Sequence, residues 1–313
     1  MVSGTRLLAT AAAIAADRFV GEPPASVHPV GAFGRLMAAA EGRAYRDAYD
    51  AGVAYTVAGT AAAAGTGLLL HRVVGPAAAT CVAAETAIAG RMLGDTAARI
   101  GTALRGGDLE EARALLPALV GRDPSGLDAS DVARAVVESV AENTVDAVVA
   151  PACWAVALGA PGVLAYRAVN TLDAMVGHRS VRYARFGWAA ARMDDVAAWV
   201  PARLTALLVA AVRPESAAEV WRAVRHDAPA HPSPNAGVAE AAFAGALGLR
   251  LGGVNRYGEQ VEDRPGLGTG RPPDPAAIDA AIRLARDVGW ALCGGLAAAG
   301  LVVTVAGRRE HRR

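Results

Sequence analysis

Glu138, Glu142 and Asp146 recur every four residues in ESVAENTVDAVVAP, with Asn143 beside them. That spacing sets three carboxylates on one face of a helix. Like charges so placed repel unless a cation or arginines neutralise them. Two readings stay open: a magnesium-type oxygen site built from Glu138, Glu142, Asn143 and Asp146, or a solvated face on which Arg134 pairs with Glu138. Further along, between Tyr166 and Arg203, Arg167, Arg179, Arg182, Arg185 and Arg192 alternate with Asn170, Asp173, His178 and Asp194-Asp195. Asn170 and Asp173 are helix neighbours at i,i+3, and Gly177-His178-Arg179 ends that helix. Phe186, Trp188 and Trp199 interleave with the arginines, as on an amphipathic or stacking face; a charged surface helix is the plainer alternative. His178 is a general-base candidate, as is His28 in DRFVGEPPASVHPVGAFG (Asp17 to Gly34), because unperturbed imidazole titrates near neutrality. Each could instead simply pack a loop. Ser233-Pro234-Asn235-Ala236-Gly237 reads either as a helix entry whose free N–H groups could hold an anion or as an ordinary capped helix.

The elements that must carry these residues are helical and apolar. Ala51–Leu70, Ala147–Tyr166 and Val288–Gly307 are uncharged windows of 20 residues each, the length that spans a hydrocarbon core as a helix. With Glu85 inside one weaker apolar stretch and Arg203 inside another, the expected spans lie near 51–70, 76–93, 147–166, 196–212 and 288–307. Ionisable residues at such places are costly and usually paired or functional, so an ion pair between Glu85 and Arg203 is one expectation. Pro151 and Pro161 interrupt 147–166, which is either spanning or re-entrant. The fold class expected is therefore all-α: a multi-pass membrane helical bundle forming a single domain over 1–313, embedded in a lipid bilayer. A soluble Ala-rich bundle is the alternative, since mean hydropathy is only +0.28. Asp274-Pro275 reads as an N-cap and first helical residue, and Arg308, Arg309, Arg312 and Arg313 after the last window place the C-terminus on the cytoplasmic side. Arg6 with apolar Leu7–Ala16 imitates a signal peptide, but the motif that follows argues against cleavage.

Of the chain's 313 residues, 53% are hydrophobic, and the net charge of +1 gives no general attraction to nucleic acid. No lysine occurs, so all 31 basic residues counted as Lys+Arg are arginines. A P-loop lysine and a pyridoxal Schiff base are thereby excluded. Phosphate or carboxylate must be held by arginine forks, backbone N–H groups or a metal. Cys81, Cys153 and Cys293 lie far apart in apolar surroundings and imply neither a disulfide framework nor a zinc site.

Taken in order, the stretches D-x3-GEPP-x3-HPVGAFG, ESVAENTVDAVVAP, AYRAVNTLDAMVGHRS, FGWAAARMDDVAAWVPARLTALL and SPNAG-x5-AFAGALGLRLGG resemble the adenosylcobinamide-phosphate synthase family of cobalamin biosynthesis (CobD/CbiB). They run from Asp17 to about Gly253. Val238 departs from the family, which often has Trp after NAG, and Tyr257 to Pro275 is only loosely similar. The resemblance implies a multi-pass inner-membrane enzyme with a cytoplasmic active site. It would join aminopropanol or its O-phosphate to the free propionate of adenosylcobyric acid, with ATP and Mg2+ as the expected cofactors. A carboxylate is a poor electrophile, so such a ligase must activate it and exclude water. Mapped onto that chemistry, Glu138, Glu142, Asn143 and Asp146 would hold metal and phosphate. Arg167, Arg179 and Arg192 would clamp anions, Ser233 and Asn235 would bind substrate or phosphate, and Asn170 and Asp173 would orient substrate. The catalytic candidates are then His28, Glu142, Asp173 and His178. A membrane sensor related to β-lactamase induction, or a corrinoid transporter, is the alternative outside this chemistry.

Overall fold

A computed structural model describes residues 3–22, 28–178, 180–257 and 260–310. Among the described residues the chain forms thirteen α-helices and one β-hairpin, divided between two compact units. Unit 1 comprises Met1–Ala89, Asp146–Ala198 and Leu292–Arg313; unit 2 comprises Gly90–Val145 and Trp199–Ala291.

Unit 1 holds α1 (Gly4–Phe19), α2 (Pro29–Ala44), α3 (Tyr49–Val74), α4 (Pro76–Ala87), α8 (Ala150–Leu172), α9 (Trp188–Ala197) and the end of α13 (Pro275–Glu310). Small residues let α3 lie close to its neighbours: a Cβ on Gly67 would fall 2.6 Å from Pro161 Cα, and one on Gly52 would fall 1.9 Å from the Phe186 carbonyl oxygen. Met37, Tyr55, Leu172, Val176 and Phe186 make the core there, and the Tyr55 hydroxyl donates to the Met37 carbonyl at 3.1 Å. Helix α8 is broken at Gly159, whose φ of 67° suits glycine, just before Pro161. Proline carries no N–H to donate to the carbonyl four residues back. Arg6 of α1 answers that loss, donating to Ala157 O at 2.8 Å and to Val156 O at 3.3 Å. The signal-like N-terminal stretch is thus a packed helix, with Leu7, Ala11 and Ile14 buried.

Unit 2 holds α5 (Gly90–Arg105), α6 (Leu109–Leu115), α7 (Ala129–Thr144), α10 (Trp199–Val212), α11 (Ala217–His226), α12 (Ala236–Leu247) and the first part of α13. The antiparallel hairpin β1 (Leu251–Tyr257) and β2 (Gln260–Leu267) belongs to it as well. Asp128 caps α7 by accepting from Asp131 N at 2.8 Å, and Asp274 caps α13 by accepting from Ala277 N at 2.9 Å, the latter as the sequence indicated. The hairpin was not foreseen. Its bulge between Leu251 and Gly253 turns the Gly252 N–H out of the ladder and onto Glu138 Oε1 at 2.9 Å.

Among the described residues, three helical stretches are long and apolar enough to cross a membrane: Tyr49–Val74, Ala129–Gly177 and Pro275–Gly307. Trp188–Ala197 with Trp199–Val212 passes that test only as a broken pair. Leu69 at 62% and Val302 at 68% exposure fit helices facing lipid better than helices facing water. The all-α membrane class therefore stands. The span expected at 76–93 does not, because α4 ends at Ala87 after 12 residues, about 18 Å of helix against a core of about 30 Å.

Candidate functional site

In unit 1 the chemistry gathers around Arg167. One turn of α8 aligns Arg167 with Asn170, and Arg167 Nη1 donates to Asn170 Oδ1 at 3.0 Å. The Asn170 amide in turn donates to Asp146 Oδ2 at 3.1 Å and to Asp194 Oδ1 at 3.3 Å, so it joins two carboxylates from separate helical segments. The Tyr166 hydroxyl donates to the Asp146 carbonyl at 3.3 Å. Arg167 Nε is buried and has no hydrogen-bond partner.

Charge from the N-terminal motif reaches the same place. Glu22, its side chain only 6% exposed, lies with Oε2 3.6 Å from His28 Nε2; neither Glu22 Oε1 nor His28 Nε2 has a hydrogen-bond partner. His28 caps α2, its Nδ1 accepting from Val30 N at 3.2 Å. Burial, then the negative charge of Asp17, pushes the Glu22 carboxyl up to about 7, against the pull of Arg167; Glu85 adds a further push. His28 moves the other way, held below its ordinary value by burial and by Arg167.

A stability prediction follows from the sign of the Glu22 shift. The folded value exceeds the ordinary 4.5, so Glu22 favours the fold fully below pH 4.5, and that contribution is lost as pH rises to about 7. His28, shifted down, acts in the opposite sense. The difference in thermal midpoint between wild type and Glu22→Gln in detergent should therefore change across pH 4.5 to 7, and a constant difference would contradict the burial of an ionising Glu22.

Unit 2 carries a second buried polar group. Glu138 Oε2 accepts from Arg122 Nη2, and its Oε1 accepts from Arg134 Nη1 at 3.3 Å and from Gly252 N. Both oxygens of the carboxylate are thereby engaged. Asn143 turns its amide back to Ser139 O at 2.9 Å and Ser139 Oγ at 3.2 Å, while the Glu142 side chain is exposed. Asp146 belongs with Asn170 in unit 1. The α-helical face assumed from the spacing of four is interrupted by a π turn at Val145–Val149, and the four residues expected to hold magnesium are not gathered into one site. Among the described residues no group of three or more His, Cys, Asp or Glu is placed to hold a metal ion. Glu240, 1% exposed on the apolar helix α12, lies 3.7 Å from His231 Nε2, and burial drives its carboxyl far above the usual range.

The remaining candidates divide as follows. Ser233 Oγ accepts from Asn235 N at 3.3 Å and Ala236 N at 3.1 Å, so the SPNAG entry caps its own N–H groups and is not left open for an anion. Asn235 Oδ1 accepts from Arg203 at 2.9 Å, and Arg203 also lies over the Trp199 ring at 4.4 Å. Glu85 lies in unit 1 and Arg203 in unit 2; the bonding of Arg203 to Asn235 replaces the ion pair expected between them. Asp173 folds back over Gly177, where a Cβ would fall 1.8 Å from its Oδ1. His178 is exposed and meets Tyr183 edge-on at 4.9 Å. Arg192 pairs with Asp195 at 3.2 Å with its side chain 66% exposed, an arrangement of small energetic worth. It stands on the rim of an apolar groove of about 580 Å³ walled by α3, α8 and α9. Arg179 lies outside the described residues. Of the sequence candidates, then, His28, Arg167, Asn170 and Asp146 share one neighbourhood. Glu22, Asp17 and Asp194 were missed as site residues, although a carboxylate inside GEPP beside an apolar helix was the available signal.

A family model described as CobD/Cbib protein matches residues 10–285. The cobalamin biosynthesis protein CobD of Mycobacterium tuberculosis is 49% identical over 278 residues, covering 87% of this chain and 88% of that protein. The proteins of the same name from Chromobacterium violaceum and Geobacter metallireducens are 43% and 42% identical, covering 89% and 87% of this chain and 91% and 90% of theirs. No solved structure matches.

Proposed function

Because the chain belongs to the CobD/CbiB family of cobalamin biosynthesis proteins, we propose that it is the amide-forming ligase of that pathway: it attaches aminopropanol or its O-phosphate to the free propionate of adenosylcobyric acid at the expense of ATP. The observation that carries this reading is the match over most of the chain to proteins named for cobalamin biosynthesis. The polar group around Arg167 supports it. An acyl activation develops negative charge on phosphate and carboxylate oxygens, and a guanidinium anchored through Asn170 with a spare buried N–H is pre-oriented to meet that charge. Asn170, fixed between Asp146 and Asp194, would hold Arg167 in place. Magnesium would enter with the nucleotide, since Glu138, Glu142, Asn143 and Asp146 are not gathered to hold it.

The deciding assay uses detergent-purified protein with adenosylcobyric acid, MgATP and either aminopropanol or its O-phosphate, following corrinoid mass. An ATP-dependent gain of the aminopropanol unit is the expected result and identifies the amine. Unchanged corrinoid from folded protein with both amines would overturn the reading in favour of a sensor or transporter.

A further inference from the structure

We infer that Glu22 is the group that deprotonates the incoming amine and that His28 positions it, an assignment resting on the ligase reading above. Sequence patterns favour the histidine as base, but the geometry around it argues otherwise. His28 Nδ1 accepts from the Val30 N–H at 3.2 Å, which leaves the single proton of a neutral imidazole on Nε2. That nitrogen faces Glu22 Oε2 at 3.6 Å as a donor and has no lone pair to offer. Glu22 Oε1, on the other side of the carboxylate, is buried with no hydrogen-bond partner; in a side chain 6% exposed such an atom costs free energy unless something donates to it.

A primary ammonium suits Glu22 Oε1 in both charge and hydrogen bonding. Asp17, itself 2% exposed, and Glu85 act on Glu22 as like charges, with Arg167 the opposing cation and His28 held neutral. An entering cation relieves the repulsion among Asp17, Glu22 and Glu85 and draws Glu22 into its ionised form, ready to take a proton back near neutral pH. The step balances as follows. The ammonium gives one proton to the Glu22 carboxylate and becomes a neutral amine. Its lone pair forms the N–C bond to the acyl phosphate as the acyl C–O bond breaks. The phosphate leaves with that electron pair and takes the second proton from nitrogen.

The test pairs Glu22→Gln and His28→Gln in the full-length protein with two nucleophiles: the aminopropanol substrate, an ammonium at neutral pH, and hydroxylamine, largely uncharged there. Glu22→Gln should lower amide formation by about 100-fold while keeping ATP-dependent hydroxamate formation within about 3-fold. His28→Gln should retain more than a tenth of the amide rate, with the acid limb of its kcat/KM profile displaced. Equal loss of amide and hydroxamate in Glu22→Gln, or a larger loss in His28→Gln than in Glu22→Gln, would overturn the assignment alone. Wild-type protein forming neither product would overturn the ligase reading and this assignment with it.

Discussion

Arg167→Ala is expected to lower ATP-dependent amide formation by about 100- to 1000-fold, the cost of removing one pre-oriented charged donor from a site where negative charge develops. The side chain is held by a bond to Asn170 Oδ1, and its Nε is buried without an acceptor, so part of its donor set is left for a ligand. Arg167→Lys retains the charge but not the planar fork and should recover only a small fraction of the lost rate. Since Arg167 is also the countercharge to Glu22 and lowers its carboxyl, the acid limb of the pH profile should move to higher pH in the alanine variant. Turnover within about 5-fold of wild type would show that the guanidinium meets no reacting charge.

Glu138→Ala should destabilise the fold by about 3–5 kcal/mol, the usual cost of stripping one partner from a buried ion pair. The loss takes from Arg122, 4% exposed at its side chain, its bond to the carboxylate, and with it one bond of Arg134 and the partner of the Gly252 N–H at the hairpin bulge. Replacing Arg122 and Glu138 together by apolar residues should restore much of the midpoint, because the buried guanidinium is then removed as well. Thermal unfolding in detergent reads both variants. An unchanged midpoint with abolished turnover would return Glu138 to the ligand role that its spacing first suggested.

That contrast shows how far the sequence could be read. Apolar windows located α3 and the end of α13, and Asp274 marked a helix start, because insertion length and capping are local properties. The break in α8 was visible in Pro161. Of the plainer reading of the carboxylate motif, the Arg134–Glu138 pair is present, but both residues are buried and do not lie on a solvated face. What spacing could not convey was the partner of each carboxylate. Arg122 lies 16 positions from Glu138 and Asn170 lies 24 from Asp146, and a π turn cuts the helical face between them. Glu22 was hidden for a similar reason: its burial depends on Asp17, Glu85 and Arg167, which only tertiary packing brings near. The hairpin escaped because LGGVNRY and QVEDRPGL lack clean alternation, and a bulge between Leu251 and Gly253 shifts their register.

The reach of Arg6 across 150 residues of sequence to the opened carbonyls of α8 bears on how the protein is made. Unsatisfied carbonyls are expensive in hydrocarbon, so the broken segment of α8 is a poor candidate for release into lipid alone. Helix α1, synthesised before that segment, has to remain beside the insertion machinery until it emerges. Biogenesis of this chain should therefore proceed by delayed, paired entry of its first helix and its broken one, and a ribosome-stalled chain ending before α8 should leave α1 unprotected from protease.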